Sequence, residues 1–109
     1  MILPIVAYGE PVLKKRAVDI DEDYPELKQL IDNMFETMYH ANGIGLAAPQ
    51  IDEPLRMAII EVPGGPSRYG EIEAIPLTMF FNPVIEILNP EVAGYWEGCL
   101  SVPGLRGFV

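Results

Sequence analysis

The stretch Pro25–Ala41, PELKQLIDNMFETMYHA, sets Leu27, Leu30, Ile31, Met34, Phe35 and Met38 at i, i+3, i+4 spacing. That period lays one apolar stripe along a helix. Pro25 suits a first helical turn, where its missing N–H costs nothing. Asp23 and Glu26 bring negative charge to the positive end of the helix dipole. Asn42-Gly43 is expected to end the helix, with the glycine in the left-handed cap. The spacing therefore predicts a helix over Pro25 to Ala41.

On the C-terminal side of this helix the texture becomes β-like. Arg56 to Val62 (RMAIIEV) reads as a buried strand. Pro63-Gly64-Gly65-Pro66 opens a loop expected to run to about Ala74. Leu77 to Phe81 and Val84 to Leu88 read as short strands parted by Asn82-Pro83. Val92 to Val102 reads as a strand bent at Gly94 and Gly98. On the N-terminal side, residues 1–24 read as an irregular arm with a turn at Gly9-Glu10-Pro11. With no repeats and no interdomain linker, the expectation is a single α+β domain over residues 1–109. It has one amphipathic helix packed on antiparallel strands.

The chain has 109 residues, half of them apolar, which is room for one core and no more. Sixteen acidic against seven basic residues give a formal charge of −9. Such a surface repels phosphate backbones, so no direct nucleic-acid binding is expected. Lys14-Lys15-Arg16 is too short to reverse this. Cys99 is the sole cysteine, which rules out an internal disulfide and fits a reducing compartment. Met1 to Ala7 is apolar but lacks a basic leader and contains Pro4, so no signal peptide is expected. No apolar run reaches the roughly 20 residues that span a membrane. The expectation is a soluble cytoplasmic protein. The apolar final residues, Leu105-Arg106-Gly107-Phe108-Val109, resemble the start of a strand more than a natural, frayed end, so the chain reads as cut short.

Two segments carry chemistry. Gly43-Ile44-Gly45-Leu46-Ala47-Ala48-Pro49-Gln50 superficially matches a dinucleotide fingerprint. That fingerprint needs a strand before it and a helix after it. Here a helix precedes, and Pro49 argues against a helix beginning inside the motif. The segment reads instead as backbone held open for close approach of another chain, with Gln50 offering an amide that donates and accepts. A plain small-residue turn remains the alternative. The second segment is Glu97-Gly98-Cys99-Leu100-Ser101. A lone cysteine is most often a small buried hydrophobe, yet as a thiolate it can bind a metal. His40, the only histidine, falls at the helix C-terminus, where contact with the dipole explains it equally well.

Gly-x-Gly-x-Ala-Ala-x-Gln followed some forty residues later by Glu-Gly-Cys-x-Ser closely resembles the peptide deformylases. The resemblance extends through Met34-Phe35-Glu36-Thr37-Met38-Tyr39 and on to Pro103-Gly104-Leu105-Arg106-Gly107. It implies metal-dependent removal of the formyl group from N-formylmethionyl polypeptides. Cys99 would be a thiolate ligand of Fe²⁺ or Zn²⁺. Gln50 and the backbone N–H of Leu100 would stabilise the oxyanion formed on attack at the formyl carbon. Ile44, Gly45 and Gly98 would bind the peptide main chain as an added strand. Glu97 and Arg106 would support the pocket or form a structural ion pair.

The family's third motif, His-Glu-x-x-His on a later helix, is absent from these 109 residues. That motif supplies two metal ligands and the general base. The fold is therefore expected to stop before the metal-binding helix, leaving this chain inactive unless completed by its own C-terminal fragment or a second copy. Lacking that helix, it is expected to expose an apolar face that includes parts of Leu46, Ile59 and Leu100. Two other functions remain open: a non-catalytic peptide-binding module, and a thiol hydrolase using Cys99 and His40.

Overall fold

The computed structural model describes residues 1–67 and 70–109. The helix α1 spans Leu27–His40. It starts two residues later than the spacing predicts, because Glu26 takes a left-handed conformation (φ 66°) and leaves Pro25 outside. At the other end Asn42, not Gly43, is left-handed (φ 57°). The N–H of Gly43 donates to the carbonyl of Met38 at 3.0 Å and that of Asn42 to Tyr39 at 3.1 Å. These two bonds are those of a Schellman stop, with Asn42 at its left-handed position. Gly43 is small for a different reason: a Cβ there would lie 2.6 Å from Cδ1 of Leu100.

Three strands form the central antiparallel sheet: β1 (Gly45–Ala47), β2 (Met57–Val62) and a later strand, Ile75–Phe81, in the order β1, β2, Ile75–Phe81. Between β2 and that later strand lie β3 (Gly65–Ser67) and β4 (Gly70–Ile72), paired antiparallel. The later strand is therefore β5. The loop expected from Pro63 to about Ala74 is corrected to this hairpin, although positions 68 and 69 lie outside the described residues. A second hairpin joins β6 (Trp96–Gly98) to β7 (Arg106–Phe108). Backbone bonds of 2.8 Å in both directions between Tyr95 and Val109 extend its ladder.

Two expected strands fail. Val84 to Leu88 forms no strand, and Val84, Ile85, Ile87 and Leu88 are all exposed. Of Val92 to Val102 only Trp96–Gly98, extended by the Tyr95 bonds to Val109, is paired as strand. β-branched residues fit a pleated surface, but a strand exists only where a neighbour takes its hydrogen bonds. Among the described residues none is aligned with 84–88. A further correction concerns Ala48–Ile51, which forms a 3₁₀ turn containing Pro49, so a short helical turn does begin inside the motif.

The core joins Leu30, Met34 and Met38 of α1 to Leu46 of β1, Met57 and Ile59 of β2, and Ile20, Ala48, Ile51 and Leu55. Leu46 and Ile59 are 2% and 0% exposed, which overturns their expected place on a bare apolar face. Leu100 is half-buried. The bare apolar surface lies further across the sheet. A helix with its side chains is about 10–12 Å wide, whereas strands repeat at about 4.8 Å. One helix therefore shades about two strands. Met79 and Phe81 sit opposite Ile59 and Met57, and so on the helix-facing side of the sheet, yet both are exposed. Among the described residues no helix is long and apolar enough to cross a membrane.

The N-terminal arm is irregular, as expected, but firmly tied. Asn82 holds it with both ends of one side chain: Oδ1 accepts from the N–H of Ile20 and Nδ2 donates to its carbonyl, each at 2.8 Å. Arg56 pairs with Asp19 at 2.6 Å and donates to the carbonyl of Pro83. Asn82 is also left-handed (φ 47°). Asn82→Ala should therefore destabilise the fold by about 2–4 kcal/mol, combining two unpaired Ile20 groups with the left-handed penalty. The measurement is the urea midpoint. Asn82→Gly should recover only the backbone share, and a loss below about 0.5 kcal/mol for the alanine variant would mean water replaces the clamp.

Candidate active site

One cleft, of about 1100 Å³, gathers every residue to which the resemblance assigns a role. Ile44, Gly45 and Gln50 line one side, and Glu97, Gly98, Cys99 and Leu100 line the other, with Arg106 beside them. His40 is not among the lining residues, so the structure gives no support to a Cys99–His40 hydrolase.

β1 is the edge of its sheet: Gly45 and Ala47 pair inward with Ile60 and Ala58 of β2. Its other edge borders the cleft, which is the arrangement an added peptide strand requires. The chain enters β1 under restraint. The Tyr39 hydroxyl donates to Oε1 of Glu61 at 2.6 Å, while the N–H of Glu61 donates to the carbonyl of Ile44 at 2.9 Å. Glu61 thus holds the turn on both sides. Its hydrogen bond is the main reason the Tyr39 phenol is raised above 10.0. Because the folded value is the higher one, this tie is intact below pH 10 and is lost as pH climbs through the raised value.

Gln50 is fixed at three points. Its Oε1 accepts from the N–H of Ala47 at 2.9 Å. Its Nε2 donates to Oγ of Ser101 at 3.1 Å and faces Sγ of Cys99 at 3.7 Å. The Ala47 contact decides which way round the carboxamide sits, so an N–H, not the carbonyl, is aimed at the thiol. Cys99 is exposed and unbridged. The Leu100 N–H has no partner among the described residues. The Gln50 amide thus faces the sulfur, and the unbonded Leu100 N–H follows it directly in the chain.

The N-terminal arm binds both sides of this arrangement. The N–H of Val6 donates to the Gln50 carbonyl at 2.7 Å, and that of Tyr8 to the Ser101 carbonyl at 2.6 Å. Ser101 is 4% exposed. Its role as orienter of Gln50 was not read from the sequence, and its only signal was its place two residues after Cys99. The arm contacts left no signal, since they use backbone alone.

A single thiol does not make a metal centre. Among the described residues no group of three or more His, Cys, Asp and Glu is placed to hold an ion. A catalytic site needs about three protein donors and one open position. The donors present here do not fit a metal by themselves.

The family model for polypeptide deformylase matches residues 2–109. A peptide deformylase of Christiangramia forsetii is 47% identical over 97% of this chain, and peptide deformylase 1 of Bordetella pertussis is 51% identical over all of it. The chain spans 57% and 62% of the lengths of these two relatives. A class I type b peptide deformylase from Acinetobacter baumannii, solved with Met-Ala-Ser bound, superposes with a TM-score of 0.89 at 36% identity. That match covers all of this chain and 70% of the other. The Thermotoga maritima peptide deformylase gives a TM-score of 0.82 at 35% identity, covering all of this chain and 67% of the other. The α+β fold is thus the deformylase fold, and with the family model matched over nearly its full length this chain belongs to the polypeptide deformylase family.

Proposed function

We propose that this chain supplies the peptide-docking edge and the oxyanion donors of an enzyme that hydrolyses the formyl group from N-formylmethionyl polypeptides. The observation that carries the reading is the Gln50 amide, fixed by Ala47 and Ser101 so that its N–H faces Cys99. In the reaction water adds to the formyl carbon, the C–N bond breaks, and formate and a free peptide amine leave. Gln50 Nε2 and the Leu100 N–H donate to the oxygen that gains charge, the kind of stabilisation that commonly dominates acyl transfer. Ile44, Gly45 and Gly98 align the peptide backbone, while Glu97 and Arg106 shape the cleft wall.

Deformylases are metal-dependent, and Cys99 is the residue that would hold Fe²⁺ or Zn²⁺. Such an ion, held by Cys99 and donors from a completing segment, would supply Lewis-acid chemistry. Since one donor does not define its site, we further propose that the 109-residue chain is inactive alone and gains activity with a segment carrying His-Glu-x-x-His. That segment would be its own C-terminal portion or be provided by a second copy. A cytoplasmic location fits a substrate that is a nascent chain.

A second reading, a peptide-binding module without chemistry, is favoured by the open edge of β1 together with the single donor. The deciding experiment measures formate release from formyl-Met-Ala-Ser with Fe²⁺ under anaerobic conditions, with and without the completing segment. Turnover only with the segment supports the enzyme. Turnover by the chain alone overturns the claim of inactivity. Peptide binding without formate release in both arms favours the module.

A further inference from the structure

Side chains alternate along β2, so Glu61 shares the helix-facing side of the sheet with Met57 and Ile59. Those two are buried in the core with α1, whereas Glu61 ends the row half-buried and carries a charge. The Tyr39 hydroxyl reaches it from the last turn of α1. The Tyr39 ring is stacked on Phe35, one helical turn earlier, with centroids 5.9 Å apart, and Phe35 packs against the core. A phenol steadied by its ring thus grips a carboxylate at the margin of the core.

On the β5 side the sheet gives Glu61 little support. Ile60 pairs with Thr78 and Val62 with Ile75, so Glu61 lies opposite Pro76 and Leu77 together. Two residues against one make a bulge, which interrupts the ladder locally. On the β1 side Glu61 fixes the edge of the cleft. Its N–H donates to the Ile44 carbonyl, so Gly45 and Ile60, next in register, are a pair with no hydrogen bond between them. The N–H and carbonyl of Gly45 therefore point away from β2, toward the cleft that Gly45 lines. They are groups that an added strand would bond. Before Ile44 the chain leaves the sheet for the Asn42-Gly43 turn, so the aim of Gly45 depends on where Glu61 stands.

We infer, resting on the proposed docking of formylated peptides, that Tyr39 and Glu61 are positioning residues whose hydrogen bond sets the docking edge at Ile44 and Gly45. Their tie governs how tightly the peptide main chain is held. Neither residue lines the cleft, so neither touches the reacting group. Gln50 is aimed by other bonds, to Ala47 and Ser101. Cutting the tie should therefore fall on KM and leave kcat in place. One ordinary hydrogen bond corresponds to roughly a two- to ten-fold change.

The test assays the complete, metal-loaded enzyme on formyl-Met-Ala-Ser and measures Met-Ala-Ser binding by calorimetry in the same variants. Tyr39→Phe keeps the ring and loses the hydroxyl. It should raise KM and the Kd of Met-Ala-Ser by about two- to ten-fold, with kcat within about two-fold of the parent. Glu61→Ala should match it, and the double variant should be no worse than either single one, because both remove the same bond. Glu61→Gln keeps an oxygen that accepts from Tyr39 and should stay near the parent. Hydrogen exchange without peptide reads the edge itself, and the Glu61 amide should exchange faster in Tyr39→Phe. Faster exchange with KM and Kd unchanged would overturn the positioning role, as would additive losses in the double variant. So would a fall in kcat that tracks the urea midpoint, which is the mark of general loosening. Weaker Met-Ala-Ser binding in Tyr39→Phe, with no formate released by any variant, would support the role and count against the catalytic reading alone.

Discussion

Gln50→Ala is expected to lower turnover of formyl-methionyl peptides by about 10²–10³-fold in the complete, metal-loaded enzyme, the usual effect of removing one oxyanion donor. Metal content should be unchanged, because Gln50 offers an amide and not a ligand. The side chain also serves the fold, since Ala47 and Ser101 both bond to it. Part of the alanine effect could therefore be distortion, and Gln50→Glu separates the two. The glutamate keeps an oxygen for the Ala47 N–H but has no N–H to give. It should lose turnover as severely as alanine while holding stability closer to the parent. Steady-state kinetics beside a urea titration checks both. Turnover within ten-fold of the parent in both variants would show that the developing charge is stabilised elsewhere.

Met34→Ala is the substitution expected to damage the fold most. Met34 is 0% exposed and lies at the centre of the stripe that α1 presents to the sheet. Truncation removes buried methylenes and leaves a cavity between helix and strands, at a cost of about 2–5 kcal/mol. Stabilities of whole domains run to only about 5–15 kcal/mol, so this is a large share of the total. The urea midpoint should fall with an unchanged slope. Met34→Leu, nearly conserving volume, should cost less than about 1.5 kcal/mol. Equal losses for alanine and leucine would mean the site is not close-packed.

The helix was legible because its information is local: six apolar residues at one period determine both the element and the face it buries. The ends were less legible. Asn42 and Gly43 were both good candidates for the left-handed position, which Asn42 takes, while Gly43 is kept small by Leu100, more than fifty residues away. Val84 to Leu88 misled for the reverse reason, since β-like composition gives no notice of whether a neighbouring strand is aligned with it. Leu46 and Ile59, expected to be bare, are covered because α1 packs on their face of the sheet.

At the site, both motifs were legible and the structure brings them to one cleft. The machinery that aims them was not. Ser101 stood in plain view within its motif, but only the fold shows it to be buried and bonded to Gln50. Trp96, one residue before the motif, was not singled out in the sequence, yet the hairpin places it on the cleft.

The two arm amides of Val6 and Tyr8 bond to opposite sides of that cleft, at Gln50 and Ser101. Irregular segments held by a few backbone bonds open more readily than core strands and helices. Each such opening here would release both carbonyls together, leaving the Gln50–Ser101 pair to hold its alignment across a 51-residue separation with less support. The Gln50 amide and the N-terminal arm then belong to one cooperative unit of local unfolding. Exchange at Val6 and Tyr8 becomes a clock for how long the site stays assembled, and anything bound in the cleft should slow that clock.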